Sequence, residues 1–314
     1  MQKYPDRLQG CEEHEAQPTA NCSAMNLSFL KIPLLDFVGS PLLVAAFGLL
    51  LWLQARCSLR RQRFAALGRI VRNLVFAAPA FVVLRLALVP IPLAAAVWAA
   101  QHDFGLLHRL PLSPVVAGAL GIVLFDYAYY WWHIATHRAP LLWRFHNVHH
   151  TDLDMDVSTA TRFHFGELLL SVIWRTAFVL ATGIAPLALI VFEIVFECAG
   201  QFHHSNWRLP IGIERALNTV LVTPRMHGIH HSIVQRETNS NWGTIFSWWD
   251  KLHRSLRIDI AQDAITIGVP AYRDESELTI GQLFLLPFRP QRPWQLPNGE
   301  KPERAPQPAD KMAA

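Results

Sequence analysis

Charge is scarce in this chain. Only 17% of its 314 residues are Asp, Glu, Lys or Arg, while 52% are hydrophobic, a poor match to a soluble domain. Cysteine is scarce too. Cys11, Cys22, Cys57 and Cys198 fall in no short pairing motif and at no zinc spacing, which leaves out a CxxC redox motif and a cysteine zinc ribbon. A Cys11–Cys22 bridge stays open if the N-terminus faces an oxidising compartment; Cys198, inside an apolar block, reads as a small core residue. No basic stripe interleaved with aromatics occurs, so the net charge of +4 does not point to nucleic acid. The first 28 residues are polar and acidic, unlike a signal peptide.

What is abundant is apolar sequence in long blocks, the pattern of membrane spans. The blocks are 33–53, 74–100, 112–132, 167–182 and 186–201. The second contains Pro79, Pro90 and Pro92 and reads either as one kinked span or as a re-entrant pair. TGIAP between the last two predicts a helical hairpin turning at Gly183–Pro186. Its arms reach about 24 Å, short of a hydrocarbon core of about 30 Å. The densest basic segment, 56–72, belongs on the cytoplasmic side. Counting crossings from there brings 133–150 and 203–231 to that same face. The expected fold is therefore all-α: a polytopic integral membrane helical bundle of about four to five membrane helices with a cytoplasmic, histidine-rich helical cap. Residues 1–30 form a polar N-terminal segment, 31–285 the membrane-embedded domain, and the proline-rich 286–314 a disordered tail.

Histidine is concentrated where those faces meet. Of fifteen histidines, eleven lie between 133 and 231. His133 and His137 share one helix face, together with Asp126 and Tyr130. His146, His149 and His150 repeat the i, i+3, i+4 spacing of His227, His230 and His231, and each trio is expected to converge on one point. His203 and His204 close the second hairpin arm, and His164 precedes the first. So many imidazoles exceed one tetrahedral zinc; two metals are simpler, and open histidine sites suit non-haem iron and oxygen. His14, His102, His108 and His253 stand apart and read as ordinary histidines.

The motifs HIATH, HNVHH and HGIHH, with FHHSN between them and NSNWGTIFSWWDKLH after, resemble the fatty acid hydroxylase superfamily, which includes sterol desaturases, sphingolipid hydroxylases and alkylglycerol monooxygenase. The resemblance covers roughly 112–255. It implies a membrane enzyme whose two iron ions use O2 to hydroxylate or desaturate a lipid C–H bond, with electrons from a separate electron-transfer protein. It also implies His133, His137, His146, His149, His150, His227, His230 and His231 as ligands, with His204 as a further one; His164 and His203 match less closely. Gly200 and Gln201 stand near where some members carry another histidine, so one metal would have fewer ligands. No donor domain is visible. The location would be the bacterial inner membrane or, in a eukaryote, the endoplasmic reticulum.

Three further residues are candidates at the site. Asp126, a carboxylate inside an apolar helix, needs a partner: a ligand imidazole such as His133, or instead a cap or tyrosine. Glu197 either lines a lipid tunnel or relays protons, or acts as inter-helix glue. Asn241 either orients ligands or forms a turn. Trp248, Trp249 and Asp250 read as packing and capping residues. Arg144, Arg162 and Arg225 bind headgroups or are simply interfacial. Arg175 and Glu193 stand nine residues on either side of Ile184 and should pair across the hairpin. The competing function is a membrane metal transporter or sensor, but transport wants ligands spread along a path, and here they gather at one depth.

Overall fold

The computed structural model describes residues 32–305. The segment 1–30 and the Cys11–Cys22 pair lie outside those residues. The described chain is helical, with only isolated bridging residue pairs and no extended strand. Its principal helices are α1 (Ser40–Arg56), α2 (Ala66–Val83), α3 (Pro90–Gln101), α4 (Pro114–Arg138), α5 (Pro140–His150), α6 (Phe165–Thr182), α7 (Pro186–His204), α8 (Ile211–Asn218) and α9 (Pro224–His230).

Five stretches are long and apolar enough to cross a membrane: Leu35–Arg56, Ala66–Gln101, Pro114–Arg138, Phe165–Thr182 and Pro186–His204. Their outward faces carry large apolar side chains such as Phe37, Val44, Val115, Ile173 and Leu187. Water would penalise that surface, whereas hydrocarbon does not. Block two is one kinked helical run. A π-helical turn, Leu84–Leu88, joins α2 to α3, and the Val89 N–H reaches Leu84 O at 3.1 Å. The wider turn accommodates Pro90 and Pro92, which supply no amide donor. At 36 residues the run is about 54 Å long, more than the hydrocarbon requires. Its first turns therefore stand in the cap, where Arg69 and Asn73 bond to Asp152.

The hairpin turns where the sequence indicates. Gly183 is left-handed (φ 67°) and its N–H caps α6 on Val179 O at 2.8 Å; Pro186 opens α7. Gly105 lies backbone to backbone against this turn, and a Cβ there would sit 2.4 Å from the Gly183 nitrogen. The α3–α4 loop thus clasps the hairpin tip, with the Leu106 N–H donating to Ala181 O at 3.0 Å. The membrane core gathers Ala96, Phe125, Val179, Leu189 and Phe192 from α3, α4, α6 and α7. The cap has its own clusters, one around Phe76, Val148 and Leu283 and another around Met155 and Ile229.

Two expectations change here. Residues 289–305 are ordered against the cap rather than forming a free tail. Trp294 donates to Ile233 O at 2.8 Å, Arg292 pairs with Glu277 at 2.7 Å, and Arg304 pairs with Glu237 at 2.6 Å. Glu237 is fully buried, and a buried carboxylate needs that guanidinium. The flanking arginines of the histidine trios serve the protein as well. Arg162 is fully buried and donates to Val148 O and Thr151 Oγ1, Arg225 pairs with Glu214, and Arg144 donates to Pro287 O.

Arg175 and Glu193 form a buried ion pair across α6 and α7, and the guanidinium lies 4.9 Å above the Tyr129 ring. Removing one partner of such a pair costs about 3–5 kcal/mol. Arg175→Glu and Glu193→Arg are each expected to cut folded yield, and the double swap to recover most of it. Size-exclusion profiles and thermal melts in detergent check this; a double swap as poor as the two singles combined overturns the pairing.

Candidate metal centre

Four helices deliver the histidines. Proline at the first turn starts α5 and α9, so each trio begins at a set point. His133 and His137 stand on the last turns of α4, and His203 and His204 end α7. The side chains sort into two groups, His133, His137, His146, His150 and His230 in one, and His149, His204, His227 and His231 in the other. Within each group the nitrogens lie within 4.8 Å of one another. Neither trio converges on a single point. In α5, His146 and His150 face the first group and His149 the second; in α9, His227 and His231 face the second and His230 the first. Residues four apart share a face, and the residue between them points aside.

The chemistry of these atoms fits metal ligation. His133 Nδ1 donates to Trp242 O at 2.9 Å, His230 Nδ1 to Ser240 O at 2.8 Å, and His204 Nδ1 to Gly200 O at 2.7 Å. His146 Nδ1 donates to Glu167 Oε1 at 2.9 Å. A ring nitrogen facing such an oxygen carries the proton, which leaves the Nε2 lone pair free. In the four-histidine group, Nε2 of His204 lies 3.1 Å from that of His149 and 3.0 Å from that of His227; His231 Nε2 lies 3.1 Å from His227 Nε2. Ligands held about 2.0–2.1 Å from one ion are separated by distances of this order. In the five-histidine group, Nε2 of His137, His146, His150 and His230 is buried without a hydrogen-bond partner. A cation would satisfy all of these lone pairs. Burial, reinforced by the surrounding imidazoles, pushes His149, His150, His227, His230 and His231 well below the usual histidine range. They are therefore neutral at pH 7 and able to ligate.

A cavity of about 160 Å³ adjoins both groups. It touches His133, His146, His149, His204 and His227, then passes Glu167, Arg175 and Glu197 to reach Leu84 and Leu88. Glu197 thus lines the tunnel, and among the described residues its carboxyl makes no hydrogen bond. Asp126 does not touch an imidazole. It accepts the Ile245 and Phe246 N–H groups at 3.1 Å and Trp249 Nε1–H at 2.7 Å, because the 240–250 loop brings its amides to that carboxylate. The same loop presents the Trp242 carbonyl to His133, so Asp126 is linked to that imidazole through the loop. Asn241 is left-handed (φ 56°) and bridges Met226 O and the Arg257 backbone at 2.7 Å, so it forms the turn and steadies α9. Asp250 caps the loop by accepting the Trp242 and Gly243 amides. His203 belongs to neither group. Its Nδ1 donates to Thr244 O at 3.1 Å and its ring lies 4.1 Å from that of His227. His164 caps α6 by accepting the Gly166 N–H. His253 stacks on Tyr127 and Tyr130.

Sequence reading missed Glu167. Its signal was a carboxylate in the first turn of an apolar helix, where an unpartnered charge is costly. It also missed the buried network beneath α5. Arg69 pairs with Asp152 at 3.0 Å and also with Asp156, and Arg162 donates to Val148 O at 3.0 Å. This network anchors the helix end that carries His149 and His150.

Residues 118–255 match the fatty acid hydroxylase family. The ornithine lipid hydroxylase OlsE of Rhizobium tropici is 33% identical over 158 residues, 48% of this chain and 44% of that protein. Human cholesterol 25-hydroxylase is 28% identical over 153 residues, 48% of this chain and 52% of that protein. Human alkylglycerol monooxygenase is 28% identical over 131 residues, 40% of this chain and 27% of that protein. The matches span about half the length of the curated relatives or less. No solved structure matches the chain significantly. The family match falls on the stretch that holds the histidine motifs.

Glu167 offers a direct check on the centre. Glu167→Gln keeps the shape but weakens the bond that fixes the His146 ring. Partners of this kind are typically worth 10–100-fold in metal affinity. Iron retention during stepwise chelator dialysis should fall by about that range while the helical circular dichroism is unchanged; unaltered retention would show that Glu167 does not position His146.

Proposed function

We propose that this chain is a membrane-bound, O2-dependent lipid hydroxylase with two non-haem iron ions. The observation that carries this reading is the meeting of nine convergent imidazoles with a cavity that runs down among membrane helices. His133, His137, His146, His150 and His230 would hold one ion and His149, His204, His227 and His231 the other. When bound, the iron pair would supply oxygen activation and its insertion at a lipid C–H bond, with electrons from a separate electron-transfer protein.

The chain's own residues do the rest. Imidazole suits iron, and neither ligand group contains a carboxylate. Carbonyls of the 240–244 loop and the Glu167 carboxylate orient the rings. Phe81, Leu84, Leu88, Leu168 and Phe196 line the approach; they exclude water and favour an alkyl or sterol-like chain over a polar substrate. The relatives are named hydroxylases and a monooxygenase, which favours hydroxylation over desaturation. Ligand convergence at one depth disfavours the metal-carrier alternative. The cap end carries Arg56, Arg60, Arg61 and Arg63, and the preference of such residues for the cytoplasm supports that face for the metal centre.

His149→Ala and His230→Ala, one from each ligand group, should each lower bound iron and abolish the oxygen-dependent gain of 16 mass units in a lipid extract, about the mass of one inserted oxygen. Both variants should still insert, and His253→Ala should behave as wild type. Mass spectrometry of lipids and elemental analysis of purified protein provide the readouts. Full activity in either ligand variant, or rapid exchange of assorted divalent ions in place of about two retained irons per chain, would overturn the assignment.

A further inference from the structure

The cavity meets a second polar cluster below the histidines. Glu197 stands seven residues before His204 on α7, about 10 Å deeper at 1.5 Å per residue. Arg175 and Tyr129 line the same cavity from α6 and α4. Three groups here have unmet hydrogen-bonding capacity. The Glu197 carboxyl accepts nothing among the described residues. The Tyr129 hydroxyl and the Arg175 Nε–H are buried and unpartnered, although Arg175 Nη1 is committed to Glu193. Tyr129 is 6% exposed and Arg175 2%. The guanidinium lies 4.9 Å above the Tyr129 ring and 5.9 Å from the ring of Phe196, and Glu197, the next residue on α7, lines the same cavity. Unsatisfied polar groups in a hydrocarbon setting are costly, and these three sit on the wall of a cavity otherwise lined here by Phe81, Leu84 and Leu88.

We propose that Glu197, Tyr129 and Arg175 form a subsite for the hydroxyl group of an otherwise apolar lipid alcohol, about 10 Å from the metal-binding end of the cavity. The assignment rests on the reading of the cavity as a lipid site. A hydroxyl both donates and accepts. It can donate to the Glu197 carboxyl while accepting from the Tyr129 hydroxyl or the Arg175 Nε–H. A carboxylate or phosphate would face Glu193 and Glu197. An ammonium would face the guanidinium and leave the Arg175 donor unmet. An ether or ester oxygen could not donate to Glu197. By anchoring one end of the substrate, the subsite sets which carbon reaches the metals, so Glu197, Tyr129 and Arg175 are positioning and specificity residues.

The test is binding without turnover. Metal-loaded protein in nanodiscs is titrated with radiolabelled 1-dodecanol, its methyl ether and dodecanoate, and empty nanodiscs are subtracted for bilayer partitioning. The alcohol should bind about tenfold tighter than the ether, the scale of one additional hydrogen bond, and tighter than the acid. Glu197→Leu should erase the preference, Glu197→Gln should keep part of it through the amide oxygen, and Tyr129→Phe should reduce it. Equal binding of alcohol and ether by the wild type, tighter binding of the acid, or an undiminished preference in Glu197→Leu overturns the proposal. The wild-type comparison needs no variant, so a folding defect does not blunt it. Because no oxidation is measured, failure of the hydroxylase reading and failure of the subsite register separately.

Discussion

Nine imidazoles packed with ring nitrogens facing one another form an arrangement that is unfavourable by itself. Each buried nitrogen without a proton or a partner loses the hydrogen bond water would have given it. Only a shared cation removes that penalty for a whole group at once, and only if every ring is held at the correct rotation. Much of the cap can be understood from this requirement. The 240–250 loop brings carbonyls to ring N–H groups. Asp126 and Asp250 hold that loop by its amides. The Arg69–Asp152 network pins the end of α5, and Arg60 donates to Pro224 O at the start of α9. None of these groups touches a metal position, yet each restrains an imidazole through one or two intermediates.

The membrane helices and the hairpin turn were legible because hydrophobic length and Gly–Pro punctuation are local signals. The histidines that the fold gathers were legible because histidine is rarely clustered without cause. The Arg175–Glu193 pair was legible from symmetry about the turn. What the sequence did not reveal was how the ligands divide. Both trios have the same spacing, and only the relative rotation of α5 and α9 decides which ring serves which group. Asp126 was misread for a related reason. Its need for a partner was clear, but the partners are two backbone amides, which every non-proline residue carries, and the Trp249 indole N–H, all delivered by a loop distant in sequence. The tail past residue 286 was read from composition, which describes an isolated chain and not one whose residues up to 305 meet a buried Glu237 and the Trp143 ring.

The membrane region combines two solutions to intramembrane polarity. Arg175 and Glu193 satisfy each other across the hairpin, and the aromatic faces of Tyr129 and Phe196 shield the guanidinium, a favourable contact for a cation. Glu197, one turn away, is left open to the cavity. The contrast separates polarity that holds helices together from polarity that is available to a guest. It also shows why hydropathy alone treats the two glutamates alike, since it counts residues and not their neighbours.

The division of each trio between the two groups has a consequence for assembly. Because α5 and α9 each feed both positions, neither position has a scaffold of its own. With the two ions proposed above, an ion entering one group would stiffen the two helices that the other group needs, so the first arrival would prepare the place of the second. Occupancy would then behave as a collective property, with half-filled molecules scarce.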